Sequence, residues 1–86
     1  MQIIFSHHPG SKYGGGWTVV DADGVDQAIA IYRIFHPDIN PPMLDCSGIF
    51  TENTFIGTKM HRQGNYGKRA VERITLTRME MDDVSK

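Results

Sequence analysis

Two short β-favouring runs, Gln2 to Ser6 (QIIFS) and Trp17 to Val20 (WTVV), flank a ten-residue break, His7 to Gly16 (HHPGSKYGGG). The break holds one proline and four glycines, at positions 10, 14, 15 and 16. Glycines in that number permit positive φ and tight reversals, so the spacing predicts a long hairpin loop between two antiparallel strands. This start constrains the rest, because a hairpin needs a third strand or a helix to cover its apolar face.

The helix follows directly. Val25, Ala28, Ile29, Tyr32 and Phe35 recur at helical spacing over about Val25 to Phe35, and Ile31 widens that stripe. Ile34 falls near the polar side, and Asp23 is the expected N-cap. His36-Pro37 ends the helix, since the residue before proline avoids helical geometry. Beyond Pro41-Pro42, Leu44 to Phe50 suggests a short third strand. Thr51 then caps a short helix over 52–60, on which Phe55, Ile56 and Met60 would bury together. Val71 to Met79 alternates, with Ile74 and Leu76 on one face, and reads as the longest strand. The tail from about Glu80 is charged and expected to fray. The expected fold class is α+β: one globular domain over 1–86, in the order β-β-α-(β)-α-β. It would have a small antiparallel sheet of three to four strands, a main helix on one face and a second short helix.

At 86 residues a folded chain buries about 60–65% of its unfolded surface, so function is expected on a surface or shallow groove. One cysteine, Cys46, excludes an intramolecular disulfide framework. No run approaches the length of a membrane span, and Met1 followed by a strand-like run and histidines does not read as a signal peptide. A cytoplasmic location is the expectation.

The net charge of −1 hides an uneven distribution. Residues 1–56 carry Lys12 and Arg33 against Asp21, Asp23, Asp26, Asp38, Asp45 and Glu52, or −4. Residues 57–73 carry Lys59, Arg62, Lys68, Arg69 and Arg73 against Glu72, or +4. Such a segment, with Tyr66 and two glycines, would steer association with an acidic protein surface. The same residues would alternatively hold nucleic-acid phosphates while Tyr66 stacks on a base. The glycine spacing of 64–69 does not make a phosphate loop. The expected partner-binding residues are Lys59, Arg62, Tyr66, Lys68 and Arg69, with Tyr13 and Trp17 as aromatic anchors.

Catalysis and metal binding have little support. Cys46 would need His36 or His61 beside it in space to form a thiol–imidazole pair. Distant ligands from His7 or His8, His36, Cys46 and His61 could only meet through the fold, and no metal-ligand spacing exists. No enzyme activity, cofactor or metal is expected. An exposed strand edge would allow self-association.

The stretch Trp17 to Phe35 (WTVVDADGVDQAIAIYRIF) is similar to a strand–turn–helix unit seen in many small bacterial and phage proteins. With the small size and the lack of catalytic motifs, the chain resembles accessory proteins of phages and mobile elements, including inhibitors of bacterial immunity. The resemblance implies a non-enzymatic protein that occupies a surface of a larger partner.

Overall fold

A computed structural model describes residues 1–75. Its strands are β1 (Gln2–Ser6), β2 (Trp17–Asp21), β3 (Gly48–Thr51) and β4 (Ala70–Ile74). Its helices are α1 (Val25–Phe35), α2 (Glu52–Ile56) and α3 (Lys59–Gln63). The α+β class and the element order are those expected, with the 52–60 helix divided in two at Gly57 and Thr58. Leu76, the rest of the alternation to Met79 and the charged tail lie outside the described residues.

The four strands form one sheet in the spatial order β3-β1-β2-β4. β1 pairs antiparallel with β2, with Ile4 opposite Val19, and antiparallel with β3, with Ile4 opposite Phe50. β4 runs parallel to β2, with Val20 opposite Ile74. The sheet is therefore mixed, whereas alternation in the sequence suggested antiparallel pairing throughout. β3 and β4 point the same way, so residues 52–69 act as a crossover over β1 and β2. A parallel pair needs a connection of this kind, and it holds two helices. Alternation reveals that a segment is a strand but not its direction.

The pleat sends alternate side chains to opposite faces. Ile3 and Phe5 of β1, Val20 of β2 and Ile74 of β4 face α1, and close a core with Ala22, Ala28, Ile31 and Tyr32. Phe5 and Tyr32 stack with ring centroids 4.2 Å apart. The predicted helix stripe is this face, although Val25, in the first turn, stands at the solvent edge. Ile34 is exposed. The N-cap of α1 is Gly24, not Asp23, and no side chain caps it. Instead the Asp23 N–H donates to Gln27 Oε1 at 2.6 Å. Gln27, in the first turn, reaches back to the residue before the N-cap, and the free amides of that turn receive no side-chain cap.

On the opposite face Ile4, Trp17, Val19 and Phe55 form a second cluster, with Phe50 and Met60 against it. Thr51 does cap α2: its hydroxyl accepts from Thr54 N–H, and Thr54 Oγ1 accepts from Thr51 N–H. Ile56, expected to bury with Phe55 and Met60, is exposed, because α2 ends there and the chain turns at Gly57. Two short helices cover this face less completely than the three turns of α1 cover the other.

The glycine-rich break is not a free loop. Gly16 N–H donates to Asn65 O at 3.2 Å and Trp17 N–H to Arg69 O at 3.2 Å. Gly15 and Gly16 have φ of +109° and +77°, and a Cβ on them would lie 2.8 Å from Asn65 O and 2.6 Å from Arg69 O. Both the backbone sign and the close approach of residues 65–69 require glycine there. No helix among the described residues is long and apolar enough to cross a membrane.

Candidate functional site

The basic segment is built on α3 and a tight reversal at 65–68. Asn65 N–H donates to Lys68 O at 2.8 Å and Lys68 N–H to Asn65 O at 3.0 Å. The two central residues, Tyr66 and Gly67, have φ of +52° and +77°. Two consecutive positive φ values match the primed hairpin turns, where Asn or Gly is usual and tyrosine is strained. The turn is anchored by Asn65, whose Nδ2 donates to His7 O at 2.5 Å and Gly16 O at 3.1 Å. Tyr66 therefore stands out from a fixed base, 66% exposed.

Lys68 Nζ donates to Tyr13 O at 2.7 Å and Arg69 Nη1 to His61 O at 3.1 Å. These bonds hold both side chains in place, and both acceptors are neutral backbone carbonyls. Among the described residues Arg33 pairs with Asp38 and His36 Nε2 bonds to Glu72, and Lys59, Arg62, Lys68 and Arg69 have no carboxylate partner there. Lys59 and Arg62 are exposed on α3, and the Arg69–His61 bond ties that helix to the start of β4. Lys59, Arg62, Tyr66, Lys68 and Arg69 are thus all exposed, on connected elements.

The two aromatic anchors expected with them lie next to these residues but are less exposed. Trp17 is buried, its ring edge-on to Phe55 at 4.8 Å between centroids. Tyr13 is half-buried and lies over the His7 ring at 4.5 Å. Neither projects as Tyr66 does. Trp17 instead helps form a groove of about 420 Å³ on the half-covered sheet face. Ile4, Val19 and Phe55 line it with Trp17, while His61, Arg69 and Arg73 supply cationic or titratable groups. Glu52 lies at the same groove, and its Oε1 accepts from Gln2 N–H at 2.9 Å. Arg69 belongs to both the groove and the basic turn.

The α1 face carries a constellation that motif spacing missed. Thr18 Oγ1 donates to Glu72 Oε1 at 3.1 Å, and His36 Nε2 lies 2.5 Å from the same oxygen. A hydroxyl has one proton, so Thr18 must accept from His7 Nε2, 2.7 Å away. This order fixes the proton of His7 on Nε2 and leaves a lone pair on Nδ1. Burial, reinforced by nearby His36, pulls the His7 pKa down to about 4, so the ring is neutral at neutral pH. Tyr32 stacks on His36 at 4.4 Å between centroids and donates its hydroxyl to Asp45 O at 2.6 Å. Burial raises the phenol far above its ordinary range, so it remains a donor.

A partial signal for this network was present. His7 lies two residues beyond Phe5, and Phe5 pairs with Thr18, so the hairpin register puts His7 and Thr18 on one face as diagonal neighbours. Glu72 joins only through the parallel pairing of β4, where it meets Thr18.

A pocket of about 260 Å³ opens beside this network, lined by residues of the 7–13 loop together with His36, Ile39 and Asp45. Ser11 lines it too, and its hydroxyl is buried with no hydrogen-bond partner among the described residues. An unsatisfied buried hydroxyl costs about 1–3 kcal/mol.

Cys46 is half-buried, and burial pushes its thiol pKa up, against the direction a nucleophile needs. Among the described residues no group of three or more His, Cys, Asp or Glu side chains could hold a metal ion. His61 packs edge-on against Phe55 on the groove side, on the other face of the sheet from His7 and His36. The histidines thus divide between the two faces. No family model, curated protein or solved structure matches this chain, so these residues and their geometry carry the functional argument.

Proposed function

We propose that this is a non-enzymatic binding protein that occupies an acidic surface of a larger protein partner, in the manner of an inhibitor. The observation that carries the reading is the continuity of charge and apolar surface at Arg69. On one side lie Tyr66, strained and exposed, and Lys68. On the other lies a groove floored by Ile4, Trp17, Val19 and Phe55. An acidic segment that also carries an apolar side chain fits both halves. The cations steer the encounter, and the apolar contact in the groove with Tyr66 slows dissociation.

A nucleic-acid strand would use the cations and stack on Tyr66, but Trp17 and Phe55 in the groove floor are buried and packed edge-on to each other, so they offer a base no free ring face. The test is an affinity pull-down from native lysate with the folded wild type and the Lys68→Glu/Arg69→Glu variant, with and without nuclease. A protein retained by the wild type after nuclease, and lost with the variant, supports the reading. Equal retention by both removes the basic face from function. Retention of nucleic acid instead, falling steeply with salt, replaces the protein partner with a phosphate backbone.

A further inference from the structure

The pocket beside His7 has a polarity of its own, independent of the basic face. Three acceptor groups line it. His7 is held with its proton on Nε2, because the Thr18 hydroxyl donates its hydrogen bond to Glu72 and must accept from His7, so Nδ1 keeps a lone pair. Asp45 lines the pocket, and its carboxylate makes no side-chain hydrogen bond among the described residues; only its backbone oxygen is engaged, by Tyr32. Ser11 has a buried hydroxyl without a partner. Rings of Tyr13 and His36, with centroids 6.0 Å apart, form aromatic walls.

One cation and two further imidazoles also face this space. Lys12 lines it from the exposed side of the loop, its Nζ 5.1 Å above the Tyr13 ring. His8 lies in the loop, and His36 has its Nε2 engaged by Glu72. The ligand that suits three acceptors, one of them anionic, and an aromatic face is a small ammonium group with N–H donors. An anion suits it less well. It would meet the Asp45 carboxylate and a histidine lone pair with no proton to offer either. The tilt of 59° between Tyr13 and His36 leaves no parallel slot for a flat heterocycle.

We infer that this pocket is a binding site for a small primary amine, held by Asp45, His7 Nδ1 and the Ser11 hydroxyl. Asp45 supplies the counter-charge, and His7 accepts one N–H. The hydroxyl of Ser11 gains the partner it lacks.

The experiment is an NMR titration of the whole protein at neutral pH with propylammonium, followed at the imidazole nitrogens of His7 and the backbone of Ser11. Tetramethylammonium and inorganic phosphate are the comparison probes. Saturable shifts at both residues are expected with propylammonium. Tetramethylammonium, which has charge but no N–H, should bind about tenfold or more weakly. Asp45→Asn and Ser11→Ala should each weaken propylammonium by about tenfold without lowering the thermal midpoint, and Ser11→Ala, which removes the unsatisfied buried hydroxyl, should raise it by about 4 °C or more. The proposal is overturned if no saturation occurs, if phosphate gives the same shifts, or if Ser11→Ala and Asp45→Asn bind as the wild type does. Equal affinity for tetramethylammonium overturns the assigned acceptors and leaves only charge attraction.

Discussion

The two faces of one sheet have been used differently. Under α1, Ile3, Phe5, Val20 and Ile74 are fully buried and the polar atoms between them bond to one another. Under α2 and α3, Ile4, Trp17 and Val19 are buried less deeply and a groove remains. Both faces are equally apolar as strand patterns. The difference comes from what covers them: eleven helical residues on one side and two five-residue helices on the other. The covered face sets stability, and the half-covered face presents a surface.

The largest test of this contrast is a pair of truncations. Phe5→Ala on the covered face should cost about 3–5 kcal/mol, because the stack on Tyr32 goes and a cavity stays. Phe55→Ala should cost about half as much, since solvent already reaches its groove. Denaturant midpoints measure both, and equal losses would erase the distinction between the faces.

Acid tests the polar part of the covered face. The pKa of His7 falls from 6.5 in the unfolded chain to about 4 in the fold, so below about pH 6.5 the unfolded state binds the extra proton. The contribution is fully present above pH 6.5 and is lost as pH falls towards 4, by up to about 3 kcal/mol. Unfolding free energies across that window should show this slope, and His7→Phe should flatten it. A wild-type slope of zero there would mean that His7 is not held neutral.

Glu72→Ala removes the acceptor shared by Thr18 and His36 and should cost about 2–3 kcal/mol by chemical denaturation. A loss below about 0.5 kcal/mol would show that water replaces the carboxylate freely. The smallest effect belongs to the other face. Tyr66→Asn should stabilise the domain by about 0.5–1 kcal/mol, since asparagine tolerates positive φ, and should weaken capture of the acidic partner we propose. Stabilisation with unchanged binding would leave Tyr66 strained for no functional reason.

Much of the fold could be read before the structure. The hairpin, the α1 stripe through Ala28, Ile31 and Tyr32, and the Thr51 cap rest on local periodicity and local hydrogen bonding, which sequence records directly. The site was legible only in part. The surplus of charge over 57–73 marked Lys59, Arg62, Lys68 and Arg69, and all four are exposed without carboxylate partners among the described residues. Trp17 could not be placed, because a strand pattern does not say which face of a sheet stays open. Asp23 does not cap α1, because the helix starts one residue later at Gly24 and the Asp23 N–H is taken by the Gln27 side chain, a geometry that capping preferences do not encode.

By itself, the sequence determined which segments become strands and helices and that positive charge gathers late in the chain. These follow from interactions between residues a few positions apart. Only the tertiary structure decided that β4 runs parallel to β2, that His7, Thr18, Glu72 and His36 share their protons, and that one sheet face keeps a groove. Those features join residues distant in the chain, such as Thr18 and Glu72, 54 positions apart. Their partners are chosen by the direction of a crossover and the length of the helices that cover each face, and no local pattern carries that information.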